Sequence, residues 1–485
     1  MLFNSIHFLI FFPIVVALYF FIKHKYRWIL LLLASYYFYM SWKPEYVILI
    51  IVSTLVDYGA ALLMDKTQNE KSRKLFLLLS LITNLGLLFA FKYFNFFSSA
   101  VADFFNLFSI QFSSPASNVL LPVGISFYTF QTLSYTIDVY KRKIKPEKHL
   151  GIFAVYVSFF PQLVAGPIER AKNLLPQFFE RHKFSYYGTV SGLRLILWGL
   201  FKKIVIADGL ALFVDKIYGN VGSYSGVSLI LATLFFAFQI YCDFSGYSDI
   251  AIGSARVMGF RLMDNFRAPY LAKTITDFWR RWHISLYSWL KDYIYFPLGG
   301  KRVRASRWYF NIFFVFLISG LWHGANWTFI VWGVLHGFYL IFSKVTSNFR
   351  RRISIYVGLH RRSLLRNVWK TSVTFILVCF SWIFFRASNL ADAVYIIKNL
   401  FTNSQYGFWH DFRGFFLHSE YEFVVMLVPL VAVVAAHFVE KRHHDLIDFF
   451  GTRSRVMRWS VYYFLLMAIL LFGTFGSREF IYFNF

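Results

Sequence analysis

Apolar runs of membrane-crossing length alternate along this chain with short polar connections, a pattern that predicts a bundle of helices lying in a bilayer. The first run, Leu2 to Ile22, has no basic lead and no small-residue cleavage site before Lys23, so it reads as a retained helix rather than a signal peptide. The connections that follow alternate in charge. Lys23, Lys25 and Arg27 follow the first span, only Trp42-Lys-Pro-Glu separates the second from the third, and Lys66, Lys71, Arg73 and Lys74 follow the third. After the fourth, Tyr93 to Leu120 carries one charge, Asp103, and the next connection, Lys141-Arg-Lys-Ile-Lys-Pro-Glu-Lys, is strongly cationic. Basic connections mark the cytoplasmic side, which puts the N-terminus outside.

Two runs do not fit a single crossing. Gly151 to Pro167 lies between cationic stretches, the second holding Arg170, Lys172, Arg181 and Lys183, and it is short and interrupted by Pro161, Gly166 and Pro167. It is expected to be re-entrant, with protein or a cavity satisfying its broken backbone. Trp308 to Phe342 is likewise preceded by Lys301, Arg302, Arg304 and Arg307 and followed by Lys344, Arg350, Arg351, Arg352, Arg361, Arg362, Arg366 and Lys370. If it enters and returns, its middle, Gly320 to Asn326, lies deep in the bilayer region. Beyond it, Thr371 to Phe385 crosses outward, Tyr421 to Phe438 returns and Trp459 to Phe475 crosses out again, so both termini are expected outside.

Composition agrees with this setting. Of 485 residues, 58% are hydrophobic, 22% aromatic and 15% charged, too apolar for a soluble protein of this length. The net charge of +26 follows the membrane pattern of basic connections, which makes a nucleic-acid partner unnecessary. Cys242 and Cys379 both lie in apolar stretches and are expected to be packing residues, with no disulfide framework and no cysteine metal spacing. One all-α membrane domain over 1–485 is expected, without soluble domain, long linker or clear repeat.

Candidate chemistry sits in two polar islands, Phe278-Trp-Arg-Arg-Trp-His283-Ile-Ser-Leu and Ser319-Gly-Leu-Trp-His323-Gly-Ala-Asn326-Trp. Ionisable groups at membrane depth are costly and point to function. The chain has no phosphate-binding loop ending in Lys-Ser/Thr, no His-Glu-x-x-His and no Gly-x-Ser-x-Gly turn, which argues against NTP hydrolysis, zinc and serine-hydrolase chemistry. A desolvated His323 that stays neutral suits a general base acting on a hydroxyl or thiol. Asp243 and Asp249 are expected to be structural ion-pair partners, Asp138 to mark an interface near Lys141, and His336 to be a packed helix contact.

These motifs, together with Ile294-Tyr-Phe-Pro-Leu-Gly-Gly, Phe159-Phe-Pro-Gln-Leu-Val-Ala-Gly-Pro-Ile-Glu-Arg and Tyr241-Cys-Asp-Phe-Ser-Gly-Tyr-Ser-Asp-Ile-Ala, resemble the membrane-bound O-acyltransferase family. The likeness is to its bacterial branch that acetylates alginate and other envelope polysaccharides. Core motifs fall at about 120–340, C-terminal spans and an aromatic tail at 371–485, and Lys344 to Glu420 carries no matching motif. The resemblance implies re-entrant helices around a central funnel, His323 as the catalytic histidine and His283 as a second important polar residue. It implies acetyl-CoA as the donor from the cytoplasm, no bound cofactor or metal, a polysaccharide acceptor, a separate extracytoplasmic transferase or esterase-like partner, and residence among the lipids of a bacterial inner membrane.

Within that reading several side chains stay open. Asn326 and its neighbour Trp322 could support the oxyanion, though Asn326 serves equally to satisfy broken backbone. Arg280, Arg281, Lys301 and Arg302 could meet the donor phosphates or simply follow the positive-inside pattern. Tyr482, in the terminal Phe480-Ile-Tyr482-Phe-Asn-Phe485, is a candidate acyl relay that would have to dip into a channel leading from His323, or an aromatic belt residue. Two other functions remain: D-alanyl transfer to teichoic acid within the family, and a transporter of a polysaccharide precursor or ion outside it.

Overall fold

The computed structural model describes residues 1–110, 120–164, 166–357, 363–402, 420–443, 446–475 and 479–484. Ala165, Arg361, Arg362 and Phe485, which belong to stretches singled out above, lie outside them. The described regular structure is helical, with no strand. Six of the described helices are long and apolar enough to cross a membrane: Pro44–Lys66, Glu70–Asn106, Val227–Val257, Trp327–Val345, Ser363–Arg386 and Arg455–Phe472. The chain is thus an all-α, multi-pass membrane protein. Its contacts fall into two compact units, Met1–Ile196 with Tyr247–Met263 and Phe483–Phe485, and Leu197–Gly246 with Asp264–Tyr482.

In the first unit, Ser5 caps the Ile6–Phe21 helix by accepting from Phe8 N. This helix buries Phe8, Phe11, Phe12, Val15 and Tyr19 on one face and exposes Ile6, Leu9, Ile10 and Ile14 on the other, as a lipid-facing helix does. The Glu70–Leu88 helix continues through a π turn, Phe89–Tyr93, into Phe94–Asn106. The connection expected from Tyr93 onward therefore begins as helix. Buried polar groups tie the bundle together: Asn84 Nδ2 donates to both oxygens of Asp57, and Ser53 Oγ donates to Asn84 Oδ1 at 2.6 Å. Asp138, at the end of the Ile125–Tyr140 helix, pairs with Lys143 at 3.5 Å.

Gly151 to Pro167 is not a continuous crossing. Helix Leu150–Ser158 breaks at Phe159 and resumes as Phe160–Leu163. Phe160 N donates to Ser35 Oγ at 3.1 Å, and Gln131 Nε2 donates to Tyr156 O at 2.5 Å, so neighbouring side chains satisfy the broken backbone. Just beyond, Glu169 is buried and accepts from Met263 N. Burial pushes its carboxyl from 4.5 up to about 7, with the Met263 and Arg170 amides pulling the other way. The folded chain thus retains a proton that the unfolded chain releases across that window, so stability falls as pH rises through it. Glu169→Gln is expected to flatten the decline, read as thermal unfolding temperature between about pH 5 and about pH 8.

In the second unit, Ala305–His323 and Trp327–Val345 form an antiparallel hairpin. A Cβ on Gly320 would lie 2.4 Å from Phe329 O, and one on Gly333 would lie 2.3 Å from Phe316 O, so both positions admit only glycine at this separation. Gly333→Ala is expected to cost about 1–3 kcal/mol, seen as earlier thermal unfolding in detergent. The chain does enter and return here, but the arms are longer than a half-depth loop. Each has 19 residues, about 28 Å, close to the roughly 30 Å of a bilayer core. Net charge on the flanks is the same for a half-depth loop and for two full arms, which is why charge parity alone did not separate them. His323 occupies the tip of the hairpin.

Candidate active site

Thr274 caps the short Ile275–Trp279 helix by accepting from Asp277 N. That turn sends Phe278, Trp279 and Trp282 inward and leaves Arg280 at the surface. At His283 the backbone becomes left-handed, φ +45° and ψ 54°, before the Ile284–Leu290 helix begins. Non-glycine residues in that region are uncommon and concentrate at functional sites. Asn265 holds the turn: its carbonyl accepts from Ile284 N at 3.0 Å, and its Oδ1 accepts from Ser285 Oγ at 2.7 Å. His283 is fully buried, its ring 4.6 Å from that of Phe244 and 5.6 Å from that of Trp322.

His323 ends its helix because Gly324 is extended and packs under the Phe329 ring, where a Cβ would meet the ring at 2.2 Å. Its buried imidazole is walled by aromatic rings: Trp332 at 4.8 Å, Trp322 at 4.9 Å, Phe385 at 5.3 Å and Tyr482 at 5.6 Å between centroids. His283 lies 6.4 Å from His323 and 6.4 Å from Tyr482. Two histidines and a tyrosine, from three separate parts of the chain, are therefore buried close together among aromatic rings.

The other candidates stand apart from this cluster. Asn326 caps the following helix, its Oδ1 accepting from Thr328 N at 3.0 Å and its Nδ2 donating to Ser388 O at 3.0 Å. Arg281 pairs with Asp277 at 2.8 Å, whereas Arg280, Lys301 and Arg302 are exposed. His336 accepts from Trp279 Nε1 at Nδ1, 3.2 Å, and its Nε2 meets Ser381 Oγ at 3.0 Å. Ser381 Oγ donates in turn to Val378 O, so Nε2 carries the proton and His336 is a helix contact. Cys242 and Cys379 are buried free thiols.

Sequence reasoning missed the far wall. Trp332 and Phe385 are nine and sixty-two residues beyond His323, on the return arm and on Ser363–Arg386, and nothing local marks them. It also missed Lys203, buried in the π turn Phe201–Ala207 and paired with Asp208 at 2.8 Å and Asp243 at 2.7 Å. Two adjacent lysines, Lys202 and Lys203, inside an apolar run were the available signal. Asp243 is thus an ion-pair partner, while Asp249 is half-buried in the first unit.

Residues 149–385, which hold both histidines, match the model of the membrane-bound O-acyltransferase family. The chain is 38% identical to a probable alginate O-acetylase of Pseudomonas aeruginosa, over 84% of its own length and 76% of that protein. It is 37% identical to a peptidoglycan O-acetyltransferase of Helicobacter pylori, over 76% of the chain and 73% of that protein. A teichoic acid D-alanyltransferase of Bacillus subtilis is 27% identical over 56% of the chain and 70% of that protein. These likenesses place the chain in the membrane-bound O-acyltransferase family, and it is an O-acyltransferase.

Proposed function

We propose that the protein moves acetyl groups from cytoplasmic acetyl-CoA to hydroxyls of an extracytoplasmic polysaccharide, with His323 as the general base. The observation that carries this reading is the convergence of the His323, His283 and Tyr482 rings within 6.4 Å of one another. His323 withdraws the proton of the attacking hydroxyl as its oxygen forms a bond to the thioester carbonyl. The C–S bond then breaks, and the proton passes to the departing thiolate. Tyr482 is the first acceptor in this scheme, giving an acetyl ester and free coenzyme A. The acceptor hydroxyl, presented by a separate extracytoplasmic transferase, takes the acetyl group and returns the tyrosine.

The developing oxyanion needs donors. With Asn326 occupied at both ends, Trp332 Nε1 and Ser319 Oγ are better placed for that task. Both are buried without a hydrogen-bond partner among the described residues; Trp332 packs on His323, and Ser319 is one helical turn before it. His283 orients the Tyr482 side of the site, and exposed Arg280, Lys301 and Arg302 suit the donor phosphates. The likeness to bacterial relatives supports an inner-membrane location, and the charge alternation supports placing both chain ends outside. Acetyl is favoured over D-alanine by the broader likeness to O-acetylating relatives.

The reading is tested by supplying radiolabelled acetyl-CoA to the purified protein in detergent, with an alanyl carrier-protein thioester as competitor. Acetyl-CoA is expected to be consumed and the alanyl thioester left. Preference for the alanyl donor, or solute flux into vesicles without thioester turnover, would overturn it.

A further inference from the structure

The segment that delivers Tyr482 is tied down by charged groups that the acyl-transfer scheme does not use. Ile481 N donates to Asp243 Oδ2 at 2.7 Å, Lys203 Nζ donates to Glu479 O at 3.4 Å, and Thr474 N donates to Ile204 O at 3.1 Å. Asp243 Oδ1 and Asp208 Oδ1 both pair with Lys203, and Lys202 Nζ donates to Ser245 Oγ at 2.9 Å. Two lysines and two aspartates are therefore buried together, and the cluster balances in charge. Buried ion groups are a poor source of stability, since apolar replacements of the same volume do as well or better. Their value lies in fixing one arrangement. The π turn Phe201–Ala207 brings both lysines inward, and such turns recur at functional sites.

We infer that the Asp208–Lys203–Asp243 cluster is a latch that holds residues 479–482 in the site and sets Tyr482 against His323. Asp243 and Lys203 are positioning residues, and the inference rests on Tyr482 being the first acetyl acceptor. The Asp243 carboxylate holds the amide immediately before Tyr482, so its loss frees the backbone on which that side chain is mounted. Phe480, stacked on Tyr482 at 5.3 Å, and Phe244, 4.6 Å from it, then guide the ring but do not fix its depth.

The test uses two variants of the full protein. Asp243→Asn keeps the side-chain shape and leaves Lys203 paired with Asp208, but leaves the cluster one positive charge in excess, so a second variant that alters no charge accompanies it. Ile481→Pro removes the donor from the segment itself, at the first residue of a 3-10 turn where proline is tolerated. In both, amide exchange across 479–484 is expected to rise by about tenfold or more. The kcat for acetyl transfer is expected to fall by about 10²-fold with the KM for acetyl-CoA unchanged, the signature of a displaced reacting group. In a Tyr482→Phe background neither variant should lower residual turnover further. Unchanged exchange, or an equal loss in both backgrounds, would overturn the latch. If Tyr482→Phe alone keeps full turnover, the acceptor role of Tyr482 fails, while the exchange measurement still decides whether the latch exists.

Discussion

His323→Ala is expected to lower acetyl transfer by about 10²–10⁴-fold, the usual contribution of a positioned general base. The loss should appear in kcat, because the imidazole acts on the proton of the attacking hydroxyl and not on the bulk of the donor. Acetyl-CoA binding, measured separately on the purified variant, should stay within a few-fold of the parent. His323→Gln provides the second arm: it keeps a polar side chain of similar length in the cage of Trp322, Trp332, Phe385 and Tyr482 but cannot take a full proton. It should be as inactive as alanine. Turnover retained in His323→Gln would show that the residue packs or polarises and that the base lies elsewhere.

Tyr482→Phe is expected to abolish delivery to the acceptor by at least about 10³-fold while changing the packing little, since only one oxygen is removed. The ring stays stacked on Phe480 and in contact with Phe244. A protein with Tyr482 intact, incubated with acetyl-CoA in the absence of acceptor, should gain one acetyl group on the peptide that contains residue 482, read by mass spectrometry. That adduct should be missing in His323→Ala, because its formation needs the base. An active Tyr482→Phe protein would reduce this tyrosine to a wall of the site.

Much of this was legible in the chain because its signals are local. The islands around His283 and His323 announce themselves as polar groups in apolar sequence, and the break near Pro161 follows from a short run flanked by positive charge. What was not legible depended on distance or on an assumption about periodicity. Asn326 shares a face with His323 only if the helix continues, and it ends at His323, so the amide turns to Ser388. The latch joins Lys203 to a carboxylate forty residues on and to backbone near residue 480, a pairing that no pattern of spacing displays. The length of the hairpin arms was hidden for a different reason: charge counts report which side the ends lie on and carry no measure of length.

The left-handed backbone at His283 narrows which side chains fit there without strain. Apart from glycine, the left-handed region is most readily entered by asparagine, aspartate and histidine. The pocket adds a second demand, a flat ring to fill the space between Phe244 and Trp322. Only one member of that short set is aromatic. Conformation and shape both favour the same side chain, so replacing it is expected to cost backbone strain, packing or both, even before any chemistry is counted.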